Sequence, residues 1–109
     1  MAEGAPVVND KTFEAEVEKS TGVVLVDFSA SWCPPCRMLA PIIADVAIEM
    51  VGKAKVLALD VDESRATAAK FNVMNVPTMI FFKNGKEALR LVGVSPKEKI
   101  VEQITKLIG

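Results

Sequence analysis

Apolar positions along this chain follow two rhythms, and the switches between them mark out the elements. Val23-Val24-Leu25-Val26-Asp27-Phe28 is a valine-rich run broken only by Asp27. Such a run predicts a strand buried on both faces, as in the middle of a parallel sheet. Before it, Asp10 is placed to cap a first helix with Phe13 and Val17 on its inner face, and Gly22 ends that segment. After it, Leu39, Ile42, Ile43, Val46 and Met50 recur at helical spacing, and Gly52 stops the helix. Pro41 inside this helix predicts a kink, because proline lacks the amide donor and crowds the preceding turn. Residues 55–61 predict a second central strand. Strand, crossover helix and strand then form a right-handed βαβ unit.

The second half changes rhythm. Asp62 is placed to start a short alanine-rich helix that ends near Asn72, and Thr78-Met79-Ile80-Phe81-Phe82 reads as a strand. Asn84-Gly85 is a strong hairpin signal, so residues 87–92 should return antiparallel to that strand. Ser95-Pro96-Lys97-Glu98 has the form of a capping box with proline at the first helical position. Ile100, Val101, Ile104, Leu107 and Ile108 would make the buried stripe of this last helix. The predicted class is α/β: βαβ followed by α-ββ-α, with helices on both sheet faces.

Composition narrows the picture. A chain of 109 residues fits one domain, residues 1–109. Half of it is hydrophobic and 25% is charged, which supports an ordinary core and argues against disorder. Thirteen basic and fourteen acidic residues give a formal charge of −1, without the basic excess of a nucleic-acid-binding surface. No apolar run approaches the ~20 residues of a membrane span. The start, Met1 to Pro6, lacks a basic region followed by a long apolar stretch, so it does not read as a secretory leader. A cytoplasmic or other reducing compartment is expected, with a processed organellar form left open.

The chemistry is concentrated in Trp32-Cys33-Pro34-Pro35-Cys36, which holds both cysteines. Disulfide exchange needs a thiolate, and a helix N-terminus lowers a thiol's pKa through unpaired amides and the positive end of the dipole. Cys33 should sit at the cap with its sulfur facing the amide of Cys36. Cys36 should lie in the first turn and be the more buried. Cys33 is then the attacking thiol and Cys36 the resolving one. Half a zinc site is the rival reading, but zinc takes about four ligands and the chain has no histidine and no further cysteine. Two chains would have to share the metal. A purely structural disulfide is a weak rival, since so short a loop constrains the unfolded chain little. A C-x-x-C pair in a βαβ setting reads as a redox motif. Asp27 has two readings on its residues alone: a desolvated carboxylate with a raised pKa, or a strand-end aspartate bonded to nearby backbone.

Val26-Asp27-Phe28, Trp32-Cys33, Pro35-Cys36, Ala40-Pro41, Val76-Pro77-Thr78, Phe82-Lys83-Asn84-Gly85 and Val92-Gly93 stand in an order that closely resembles the thioredoxin family over nearly the whole chain. The resemblance implies a thioredoxin fold, a central mixed β-sheet flanked by helices on both faces. It implies a protein-disulfide reductase that maintains cell redox homeostasis and holds no bound cofactor. Electrons would come from NADPH via thioredoxin reductase, and the partners would be that reductase and disulfide-containing proteins. No nucleic acid or membrane is implied, and a monomer is the default. By the same resemblance, Asp27 is the buried aspartate that assists proton transfer at Cys36, and Pro77 is a cis-proline facing the active site. Trp32, Val61, Asn75, Val76, Val92 and Gly93 would form a shallow substrate groove, with backbone at Val76 open to a substrate strand. The plainer reading makes the valines sheet core and Gly93 a bulge or turn.

Three positions depart from the family pattern. Pro34-Pro35 replaces the usual Gly-Pro between the cysteines, which removes one amide donor at position 34 and stiffens the loop, so both residues should tune the redox pair. Ala58 stands where many thioredoxins carry a lysine near the aspartate, and losing that cation should raise the Asp27 pKa further. Ser29 stands where an aromatic residue is frequent. Two rival functions remain at this point. An oxidase or isomerase on the same fold often has histidine between the cysteines, which is absent here. A binding module would use the Trp32 groove and leave redox incidental. Trp32 is the only tryptophan and there is no tyrosine. Its emission should therefore rise when the adjacent disulfide is reduced; a fluorescence titration with no change would place Trp32 away from the cysteines.

Overall fold

The computed structural model describes residues 5–109. The reading of the Met1 to Pro6 start falls largely outside that range. Among the described residues, four strands form a mixed sheet in the order β2-β1-β3-β4: β1 Val23–Ser29, β2 Lys55–Asp60, β3 Thr78–Lys83 and β4 Lys86–Val92. β1 runs parallel to β2 and antiparallel to β3, and β3 pairs antiparallel with β4. Three α-helices follow in chain order: α1 Pro34–Glu49, α2 Arg65–Lys70 and α3 Lys97–Ile108.

All seven residues of β1 are buried, as an apolar strand at the centre of a covered sheet requires. Its side chains alternate between two cores. Val23 and Leu25 join Leu39, Ile43 and Val46 of α1, Met79 and Phe81 of β3, and Ile100 and Ile104 of α3. Val24, Val26 and Phe28 face the other way, onto Phe13, Leu57, Leu59, Ile80 and Phe82. There the ring of Phe71 lies 5.4 Å from those of both Phe13 and Phe82. The hairpin forms at Asn84 and Gly85, with φ of 52° and 83°, the pair of left-handed residues that matches strand twist. A side chain at Gly85 would also collide with the Glu18 carbonyl.

Several local readings need correction. The first helix is one π-helical turn, Glu14–Glu18, and Asp10 does not cap it. Phe13 holds the cap position and makes no side-chain cap bond, and Asn9 closes the turn before it, its Oδ1 accepting from the amides of Lys11 (2.9 Å) and Thr12 (3.1 Å). Asp10 instead crosses to the start of α2, accepting from the Thr67 amide (2.9 Å) and hydroxyl (2.6 Å) and from the Ala66 amide (3.4 Å). These bonds hold its carboxyl below the usual range. α2 accordingly starts at Arg65 with Ser64 at the cap position, rather than at Asp62, and Ser64 makes no side-chain cap bond. A distant carboxylate satisfies the amides that a local cap would otherwise take. The capping box before α3 does not form, because Pro96 occupies the cap position and puts Ser95 one residue too early. α1 continues through Pro41 as a single element.

The stripe of α3 is narrower than its spacing suggests. Ile100 and Ile104 are fully buried, whereas Ile108, the last residue of the helix, is 45% exposed. Ile104→Ala should therefore cost ~2–5 kcal/mol in a urea melt, and Ile108→Ala about 0.5 kcal/mol or less. Equal losses at the two positions would contradict this placement.

Candidate active site

The site grows from the junction of β1 and α1. Cys33 is the cap residue of α1, in extended conformation, and its Sγ accepts the Cys36 amide at 3.2 Å. Pro34 and Pro35 fill the first two helical positions, where missing amides leave no intrahelical bond unmade. The first helical residue with an N–H is thus Cys36, and that N–H points at the sulfur. The two cysteines are joined as a disulfide with a Cα–Cα distance of 5.2 Å. One expectation fails here: Cys33 is as enclosed as Cys36, at 3% and 2% exposure. Pro34 and Pro35 between them are both exposed.

Surroundings differ more than burial does. The Cys33 sulfur lies 3.7 Å from the Val76 carbonyl oxygen. Val61 and Val76, each half-buried, pack against the cluster of Ala30, Cys33 and Cys36. The Val76–Pro77 bond is cis, as the resemblance implies, and Pro77 is buried. The Pro77 carbonyl accepts from Gly93, which has a φ of 91°. Val92 pairs with Thr78 beside it and is 62% exposed, so it is not sheet core. Asn75 is exposed, and its carbonyl accepts from the Thr78 hydroxyl at 2.6 Å. Trp32 is 64% exposed, with its indole N–H donating to Asp62 Oδ2 at 2.8 Å. Asp62 is the neighbour that sequence reasoning missed. It was read as a helix start, and the pairing spans thirty residues. Only its place after a strand's carboxyl end hinted at a site role.

Asp27 alternates with Val23 and Leu25 and so lies on the α1 side of β1. It is 1% exposed, and its Oδ1 has no hydrogen-bond partner. Burial alone pushes its carboxyl up to about 7, against an ordinary 3.8. Ala58 stands directly opposite it in β2 and supplies no cation. The reading of Asp27 as a strand-end aspartate held by backbone does not fit an oxygen without a partner. Among the described residues, no group of three or more His, Cys, Asp or Glu is placed to hold a metal ion. No helix among them is long and apolar enough to cross a membrane.

A disulfide capping the helix that follows the central strand, with a cis-proline beside it, defines a thiol–disulfide oxidoreductase. The thioredoxin family model matches residues 4–106. Thioredoxins of Staphylococcus aureus strains Mu50 and N315 are each 48% identical over 99 residues, which cover 91% of this chain and 93% of theirs. The chain belongs to the thioredoxin family, and Cys33–Cys36 is its dithiol–disulfide exchange pair.

The raised Asp27 pKa has a definite sign in stability. The native state keeps this proton more tightly than the unfolded chain. Native stability is undiminished below the unfolded pKa and falls as pH rises from about 4 to about 7. Above that range the loss levels off at about 4 kcal/mol. Asp27→Asn should thus be more stable than the parent at alkaline pH by several kcal/mol, with the gap closing near pH ~4. Parallel stability–pH curves from urea melts would rule this out.

Proposed function

We propose that this chain reduces disulfides in other proteins, with Cys33 attacking and Cys36 resolving. The observation that carries the reading is the seat of the Cys33 sulfur. It accepts the Cys36 amide at the start of α1, and it faces the Val76 carbonyl and the half-buried valines. Negative charge on that sulfur is favoured by the helix N-terminus. The Cys33 thiolate attacks one sulfur of a target disulfide. The target S–S bond breaks, a mixed disulfide forms, and the leaving thiolate takes a proton from solvent. Cys36 then gives its proton to the Asp27 carboxylate and attacks the Cys33 sulfur. The Cys33–Cys36 bond forms and the second target thiolate leaves. Two electrons pass to the target, and its second thiolate, like the first, takes a proton from solvent.

Trp32, Val61, Asn75, Val76, Val92 and Gly93 form the substrate surface, with a target strand pairing along Val76. Exposure of Trp32 and Val92 beside the pair supports this reading. Pro77 shapes the wall facing Cys33, and Pro34 and Pro35 set the thiolate's donor count at one. Thioredoxin reductase returns the disulfide to the dithiol with electrons from NADPH. The chain works as a monomeric single domain, residues 1–109, in the cytoplasm.

Cys36→Ser should accumulate covalent target complexes on a non-reducing gel, and Cys33→Ser should accumulate none. The reverse pattern would exchange the two roles.

A further inference from the structure

Behind the cysteine pair, on the α1 side of β1, a partly open recess of about 110 Å³ is lined by Ser29, Ala30, Ser31, Cys36, Arg37 and Ala40. That volume admits several water molecules, since one needs roughly 10–15 Å³. Cys36 forms part of its wall although only 2% of the residue is exposed, whereas Cys33 does not line it. Of the two cysteines, Cys36 is thus the one that borders the recess. Ser29 and Asp27 are two residues apart on β1, so both point to the face that α1 covers. Ser29 lines the recess with a small side chain, so a ring at that position would reduce its volume.

Asp27 has few other ways to exchange a proton. β2 sets Ala58 opposite it and β3 sets Met79, both uncharged. α3 contributes Ile100 and Ile104 to the same core. From α1 come Cys36 and, at the recess, Arg37, whose Nη1 donates to the Ser31 carbonyl at 2.9 Å. Burial is the whole cause of its raised pKa, with no charged partner contributing. A proton taken up by Asp27 must reach water, and the recess brings solvent to the Cys36 wall.

We propose that the Ser29 recess is the solvent port of the resolving half-reaction, with Ser29 a positioning residue whose small side chain keeps it open. The proposal rests on the roles given above to Cys36 and Asp27. The Cys36 thiol loses its proton to the Asp27 carboxylate, the thiolate attacks Cys33, and the Cys33–target bond breaks. The proton then passes from Asp27, which does not itself line the recess, across the Cys36 wall to water there, which restores the carboxylate. No electrons beyond the pair in the exchange are involved.

The test uses the full chain and a nitrobenzoate disulfide that releases one coloured thiolate on attack and a second on resolution. Stopped-flow traces from about pH 5 to about pH 9 separate the two phases. Ser29→Phe should leave the first phase unchanged. It should slow the second about tenfold near neutral pH and move its midpoint up by about one pH unit, because the ring removes water from the acid–base pair. Ser29→Ala, which keeps the recess open, should match the parent in both phases. A parent-like second phase in Ser29→Phe, or equal slowing of both phases, overturns the port. If Ser29→Phe does not fold, Ser29→Leu is judged by the same criteria. If Cys36→Ser still releases the second thiolate at the parent rate, Cys36 is not the resolving thiol, and the underlying reading falls with the port.

Discussion

The Cys36 amide donates to the Cys33 sulfur at 3.2 Å, and the rest of the site depends on that contact. It makes a cysteine the cap of a helix, so one sulfur serves both as the structural cap and as the reacting atom. The contact also fixes where α1 begins, directly after the loop that leaves β1. Two prolines in the first turn remove the competing donors without breaking any intrahelical bond. The cap sulfur is left with a single local N–H. Preorganised donors of this kind act where charge develops, and they need no rearrangement during the reaction.

β1 carries this arrangement because it is the most enclosed strand. It lies between β2 and β3, and helices cover the face that holds Asp27. A carboxylate on that face is shut off from bulk solvent by burial and, with Ala58 opposite, meets no cation across β2. Its proton affinity rises into the neutral range for that reason. The same burial makes the group costly to the fold and useful to the chemistry, a conflict typical of functional positions. Small side chains at Ser29 and Ala30 then leave room behind Cys36, where a closer-packed junction would have none.

Much of this was legible in the chain itself. Strand and helix order, the central position of β1, the antiparallel hairpin and the cap role of Cys33 all follow from short-range patterns. Alternation, 3.6-residue spacing, Asn84-Gly85 and Cys33-Pro34-Pro35-Cys36 each act over a few residues. The errors also share a cause. Asp10 and Asp62 were both given to local helix starts, and both are engaged by partners far along the chain. Ser95 was given a cap that Pro96 displaced by one position. Ile108 keeps the spacing of a core residue but ends the helix half-exposed. First-turn position makes Cys36 the more buried thiol in the sequence reading, yet Cys33 is enclosed as fully.

By itself the sequence determined the reacting pair, the helix it caps and the strand that leads to it, because those interactions lie within one turn of each other. Tertiary structure decided which groups meet across the fold: Val76 against the Cys33 sulfur, Ala58 opposite Asp27, Asp62 under the Trp32 indole and Asp10 on α2. It also decided that Cys36 alone of the two thiols borders the Ser29 recess. Such meetings depend on sheet register and on how α1 sits over β1. Both are settled by packing many side chains at once, and no short window of residues encodes that packing.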